Sequence, residues 1–305
     1  MDNSSVHVPV LLSEVLEALR PGPGGTFIDG TVNGGGHARA LIDAGPARLT
    51  VLGLDRDPAL IDELREVAAA QIAGGRLQLV HSSYAMLTEV AHAAGIFAAD
   101  GILLDLGLSS NHFERSGRGF SFDRDEPLDL RFDPEDPAVE PAAALVRHAP
   151  AARLADIFTT YGEERYARRI ARHIAEVRVR HPIDTAIALR DCTLAALPGP
   201  ARRQGGRSVA RVFQALRIAI NAELAALECV LPQIPPLLRP GGRVAIIAFH
   251  SLEDRLVKQF FREAARTDIL RRITKKPIRP SLTEARDNPR ARSARLRVAE
   301  RPEAA

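Results

Sequence analysis

Four short apolar runs, at residues 26–29, 49–55, 76–80 and 101–106, alternate with stretches of helical apolar spacing, and this alternation limits most strongly what the chain can fold into. Runs this short and uninterrupted fit strands buried on both faces. The stretches between them, including 59–72 behind Pro58 and 84–94, place helices over those faces. The expected product is α/β, a doubly wound and mostly parallel sheet. The alternation then stops. Residues 115–206 hold an acidic, Pro-bearing loop and then helical stretches at 151–161, 163–180 and 185–197, with no comparable strand. A helix over 208–231 and the turn Arg239-Pro240-Gly241-Gly242 precede a returning strand at 243–249. A sheet interrupted and resumed implies a discontinuous domain, 1–114 with 207–305, carrying an inserted helical domain at 115–206. Residues 293–299 alternate well enough for a late edge strand, and an extended arm fits them nearly as well.

The run Asp29-Gly30-Thr31-Val32-Asn33-Gly34-Gly35-Gly36-His37 falls where the first strand turns into its helix, at the carboxyl edge where such sheets bind ligands. Asp55 closes the second strand 20 residues after Gly35, the interval at which an acid accepts both hydroxyls of a ribose. Together these predict a cofactor bearing adenosine. A nicotinamide dinucleotide fits poorly, because G-x-G-x-x-G read from Gly34 meets Arg39 at its last glycine. S-adenosylmethionine fits better, since it has no phosphate to cradle and its charged amino-acid end needs polar partners such as Asp29 and the loop backbone.

Charge is uneven along a chain whose net charge is only +3. Residues 113–140 hold nine acids against four basic side chains, whereas 200–217 hold five arginines and no acid, and 262–305 hold thirteen Lys/Arg against six Asp/Glu. A polyanionic partner and merely solvated basic faces both fit that distribution. Nothing approaches the roughly 18 uncharged apolar residues of a membrane span, nor does residue 1 open a signal peptide, so a cytoplasmic location with no membrane contact is expected. Cys192 and Cys229 lie in neither a CxxC nor a Cys/His cluster, so no metal site is expected; both read as buried structural thiols.

These motifs, with others, resemble the bacterial 16S ribosomal RNA cytosine-N4 methyltransferases, the RsmH or MraW family. The resemblance runs through His7-Val8-Pro9-Val10-Leu11-Leu12, the glycine loop, Asp105-Leu106-Gly107-Leu108-Ser109-Ser110 and Arg118-Gly119-Phe120-Ser121-Phe122. It continues through Leu128-Asp129-Leu130-Arg131-Phe132-Asp133, Tyr161-Gly162-Glu163-Glu164-Arg165, Phe213-Gln214-Ala215-Leu216-Arg217-Ile218, the block from Phe249 to Arg255, and the block from Asn288 to Ala294. It implies a Rossmann-like class I methyltransferase sheet, S-adenosylmethionine bound by Gly35, Gly36, His37, Asp55, Tyr84, Asp105 and His112, and methylation of a cytidine N4 in the P-site region of 16S rRNA, free or within the small ribosomal subunit. The inserted domain would recognise that substrate. Asn33 stands where the family usually has glycine, which a left-handed backbone tolerates. His112 replaces a common Gln, and Arg207-Ser208-Val209-Ala210-Arg211 keeps only the final Arg of His-Pro-Ala-Thr-Arg.

Methylating an exocyclic amine requires an acceptor for its N–H groups, alignment with the methyl group and an exit for a proton. The usual Asp/Asn-Pro-Pro-aromatic turn of amino-methyltransferases is missing after the fourth strand. Asp105, Ser109 and Ser110 are the candidate substitute, with cofactor binding by Asp105 and helix capping by the serines as alternatives. His250, at the end of the returning strand, reads either as a substrate-side group or as a core histidine, and Ser251 with Asp254 has the spacing of a helix cap. Carbon-5 methylation would need a cysteine nucleophile, which neither thiol resembles. Phe120, Phe122 and Phe249 are either core or platforms for an extruded base. Phosphate contacts are assigned to Arg207, Arg211, Arg217, Arg290, Arg292, Arg295 and Arg297.

Overall fold

The computed structural model describes residues 9–303; His7 and Val8 of the first motif lie outside the described residues. The chain divides into two units, 1–107 with 224–305, and 108–223.

The first unit is built on seven strands: β1 (Thr26–Asp29), β2 (Thr50–Asp55), β3 (Leu77–His81), β4 (Ala99–Asp105), β5 (Leu238–Ala248), β6 (Arg271–Arg272) and β7 (Arg295–Glu300). Their order is β3-β2-β1-β4-β5-β7-β6, with the first five parallel and β7 antiparallel to both neighbours. This is the Rossmann-like sheet that the resemblance implied, with β7 and β6 added beyond β5. Successive side chains feed opposite layers, which explains why the strands read as unbroken apolar runs. Phe27, Leu103, Ala245 and Ile247 join the layer under the helices Leu12–Leu19, Gly36–Ala44 and Pro58–Val67. Ile28, Ile102, Leu104, Val244 and Ile246 join the other layer, with the helices Leu87–Ala93, Glu223–Val230 and Ser251–Arg266. Each fully buried large side chain contributes about 1.5–3 kcal/mol.

The late strand exists but is not at the edge. β7 lies between β5 and the two-residue β6, because Arg271 and Arg272 pair with Glu300 and Ala299 on its far side. The 239–242 turn is enclosed within β5: Leu238 pairs with Ala99 and Arg243 with Gly101, so the residues between loop out. Two predicted helices are broken. The 59–72 stretch divides at Ala68, and the 208–231 stretch at Ala222, whose φ of 50° puts it in the left-handed region. No described helix is long and apolar enough to cross a membrane.

The second unit is helical. Ala142–His148, Ala151–Thr160, Ala167–Val177, Ala186–Ala196 and Gly206–Asn221 enclose a core that includes Phe158, Ile170, Ile174, Leu189 and Leu216. Its boundaries differ from those read in the sequence, 115–206, because the Gly206–Asn221 helix puts Val209, Val212 and Phe213 into this core rather than under the sheet. The acidic loop before the helices is held by specific bonds. Asn221 accepts from the Phe132 N–H at 2.8 Å and donates to the Leu130 carbonyl at 2.8 Å, and Arg118 donates to the Phe132 carbonyl at 2.7 Å.

Candidate active site

Three carboxylates close three neighbouring strands of the sheet: Asp29 on β1, Asp55 on β2 and Asp105 on β4. The glycine loop lies between the first two and is tied to both. Asp55 accepts from the Asn33 N–H at 2.9 Å through one oxygen and from the Asp57 N–H at 2.9 Å through the other. Asn33 has φ of 48°, the left-handed conformation that makes its replacement of glycine tolerable. Gly35 has φ of 75°, and a Cβ there would come within 2.4 Å of Leu64, so both conformation and space demand glycine. A Cβ on Gly36 would meet Pro9 at 2.4 Å.

His37, in the first turn of the next helix, is buried, with Nε2 3.0 Å from the Val10 carbonyl oxygen and Nδ1 3.6 Å from Asp105 Oδ2. A carbonyl only accepts, so Nε2 carries the proton and Nδ1 faces the carboxyl. Thr31 had no assigned role in the sequence. Its hydroxyl accepts from the Asp105 N–H at 2.5 Å and lies 3.5 Å from Asp29 Oδ1, joining the ends of β1 and β4. Tyr84 begins the short 3-10 turn Tyr84–Met86 after β3, and its Cβ approaches within 3.3 Å of where a Cβ on Gly30 would sit.

The electrostatics are unusual for so much acid in one place. Burial raises the Asp29 carboxyl to about 7, assisted by the charge of Asp55 and opposed by its Thr31 hydrogen bonds. Burial also holds Asp105 well above the ordinary carboxylate range, with Asp29 and Glu253 adding to the effect. Among the described residues no Lys or Arg pairs with either, and the Asp105 Oδ1 atom is buried without a hydrogen-bond partner. Such a cluster is completed by a ligand that brings positive charge and donors. S-adenosylmethionine, with a sulfonium and an ammonium group, has that character.

Of the other predicted site residues, several have structural employment. Ser109 caps the helix Ser110–Glu114 in a reciprocal arrangement with His112, their Oγ and Nδ1 being 2.8 Å apart. The His112 ring is buried edge-on to Phe120, with centroids 5.0 Å apart. Ser110 opens that helix. His250, rather than Ser251, caps the helix Ser251–Arg266, its Nδ1 accepting from the Glu253 N–H at 3.4 Å. Glu253 reciprocates by accepting from the Phe249 N–H at 2.8 Å and the His250 N–H at 3.3 Å. The predicted cap is thus displaced by one residue, because Asp254 is held instead by Arg297. Phe120 and Phe122 lie in or against the helical core, the latter 5.6 Å from Phe213, and Phe249 packs against a sheet layer.

The arginines divide into two classes. Arg297 is buried and bonds both oxygens of Asp254, at 2.7 and 3.2 Å, with Arg295 3.6 Å from the same carboxylate. Arg217 makes a similar fork on Glu223, at 2.7 and 2.9 Å. Arg217 and Arg297, both assigned to phosphate from the sequence, are thus engaged with carboxylates of the protein itself. Arg292 donates to the Ala285 carbonyl at 3.0 Å, and Arg290 is half-buried in the turn Pro289–Ser293. Arg207 and Arg211 are exposed, the latter 3.7 Å from Glu164.

Cys192 is buried, and burial pushes its thiol up to about 11. Cys229 is exposed, which corrects the expectation of two buried thiols: it sits on the outward side of its helix, where Sγ reaches the Ala85 carbonyl at 3.5 Å and accepts from Gln233 at 3.5 Å.

Comparison with known proteins places relatives along nearly the whole chain. Residues 4–302 match the MraW methylase family. A ribosomal RNA small subunit methyltransferase H from Heliobacterium modesticaldum is 44% identical, covering 97% of this chain and 98% of the relative. The proteins of that name from Thermomicrobium roseum and from a Synechococcus strain are 47% and 49% identical, covering 98% and 97% of this chain and 94% and 92% of the relatives.

Proposed function

Because the chain belongs to the MraW methylase family, we propose that it is a cytoplasmic S-adenosylmethionine-dependent methyltransferase acting on small-subunit ribosomal RNA, and that its target is the exocyclic N4 of a cytidine in the P-site region of 16S rRNA. The observation that supports this chemistry best is the buried, uncompensated pair of Asp29 and Asp105 beside a glycine loop anchored on Asp55.

S-adenosylmethionine, when bound, supplies a sulfonium methyl open to in-line displacement. Asp55 accepts the ribose hydroxyls. Backbone N–H groups of Asn33 and Asp57 already orient its two oxygens, and a carboxylate has about four acceptor directions. Asp29 and the backbone around Gly35 and Gly36 take the charged amino-acid end, and His37 fixes Asp105 from the side. The free Asp105 Oδ1 is the acceptor for an amine N–H, which turns the nitrogen lone pair toward the methyl group. Carbon-5 chemistry has less support: one thiol is buried with its proton held tightly, and the neighbours of the other, a carbonyl and an amide, are not bases. The 108–223 unit is assigned the recognition of RNA, with Arg207 and Arg211 toward phosphate.

The reading is tested by transfer of labelled methyl from S-adenosylmethionine to 16S rRNA and to the assembled subunit, followed by mapping of the modified nucleotide. Label at a cytidine N4 is expected; label at carbon 5, or none, overturns the finer assignment. In parallel, Asp55→Ala should weaken cofactor binding at least tenfold by calorimetry, through loss of hydrogen bonds to a charged acceptor worth about 1.5–3 kcal/mol each.

A further inference from the structure

The helix Ala167–Val177 buries Ala167, Ile170, Ala171 and Ile174 on one side, so its geometry commits Arg168 and Arg172, one turn apart, to the opposite side. Both are exposed, and neither forms a hydrogen bond or ion pair with any described residue. Glu176 follows one turn after Arg172 without pairing to it. Arg165, which precedes the helix, is instead engaged locally, its guanidinium 4.4 Å from the centre of the Tyr166 ring. Arg169 donates to the Ala196 carbonyl, and Arg202 donates to the Leu194 and Ala195 carbonyls at 3.1 and 3.0 Å. Both guanidiniums therefore sit on the same helix end, the C-terminus of Ala186–Ala196, where partial negative charge favours them. Arg203 and Arg207, in the segment that follows Arg202, are likewise exposed and without a side-chain partner among the described residues.

We propose that this face of the helical unit, centred on Arg168 and Arg172, is a binding surface for the phosphate backbone of RNA. The proposal rests on the reading of RNA as substrate and deepens it within the helical unit, by naming the Ala167–Val177 helix as a surface that meets the phosphates. The contrast with the paired arginines carries the argument. Arg297 and Arg217 spend their charge on the protein's own carboxylates, whereas Arg168 and Arg172 hold theirs with nothing opposite, on a rigid helix at a spacing of one turn. Unpaired guanidiniums in a row fit a polyanion with regularly spaced phosphates better than they fit a small anion.

The test is the salt dependence of binding to a 16S rRNA fragment by Arg168→Gln/Arg172→Gln, alongside the wild type and the Arg168→Lys/Arg172→Lys variant, with thermal melts confirming that these exposed substitutions leave the fold intact. The Gln variant should lose about 1.4–1.8 from the log–log slope, 0.7–0.9 for each contact, and the Lys variant should keep most of it. Cofactor affinity should be the same in all three. An unchanged slope in a variant whose wild type still transfers methyl to RNA overturns the surface alone. A wild type that neither binds nor methylates RNA overturns both the surface and the reading beneath it. Weakened binding to the assembled subunit with an unchanged slope on naked RNA assigns the face to a ribosomal protein and likewise overturns the proposal.

Discussion

His37 Nδ1 stands 3.6 Å from Asp105 Oδ2 while the opposite ring nitrogen faces the Val10 carbonyl at 3.0 Å. One imidazole thus ties the first motif of the chain to the end of β4, and it leaves the second Asp105 oxygen without a partner. The arrangement keeps an acceptor buried and aimed, in surroundings whose burial holds the Asp105 carboxyl well above the ordinary carboxylate range. Its electrostatic cost is testable.

Asp29 has its folded carboxyl raised from 3.8 to about 7, chiefly by burial. The folded protein therefore binds this proton more tightly than the unfolded chain does. The associated stability is fully present below pH 4 and is lost as pH rises through about 7, an effect on the order of 4 kcal/mol. Asp29→Asn should flatten the fall in melting temperature of ligand-free protein between pH 5 and 8. It should also weaken cofactor binding and make its increase with pH shallower, because a cationic ligand favours the ionised acid. Parallel melting curves for the two proteins would remove burial of Asp29 as the cause.

Arg297→Gln should destabilise the protein by about 3 kcal/mol, the low end for breaking a buried ion pair, since Arg295 remains within reach of Asp254. Denaturant titration reads the stability, and the salt slope of RNA binding should stay at its wild-type value. A shallower slope in a folded variant would return β7 to the RNA surface.

The thiols should be chemically distinct. Native protein is expected to react promptly at Cys229 alone, and denatured protein at both, when titrated with a disulfide reagent. Replacing both by alanine should leave methyl transfer measurable. Loss of activity in a folded double variant would revive a covalent carbon-5 route.

The sheet was legible because its strands are buried on both faces: β1 was delimited to the residue, and β2 to β4 within one or two. Long-range pairing was not legible. Nothing local to residues 293–299 reveals that Arg271 and Arg272 will cover their outer side. Nor does any local signal show that Ala222, an ordinary helix former, will adopt φ of 50° and end a helix. In the site, the glycine loop and Asp55 announced themselves by spacing, whereas Thr31 and Glu253 matter only because β1, β4 and β5 bring their ends together. Charge misled most. A run of arginines looks the same in sequence whether each meets an aspartate, as Arg297 does, or meets nothing, as Arg172 does.

The pairing of Gly101 with Arg243 means that β4 waits for its neighbour until all of 108–223 has been synthesised. At translation rates of about 5–20 residues per second that delay is on the order of ten seconds, during which β4 is an open edge on the nascent chain. The inner unit, continuous in sequence, is free to fold during the same interval. Assembly of the outer unit is therefore ordered by the direction of synthesis: the helical unit is complete before the sheet that carries the carboxylates can close, and substitutions that slow β5 or β7 should show first as aggregation of newly made protein, ahead of any loss in equilibrium stability.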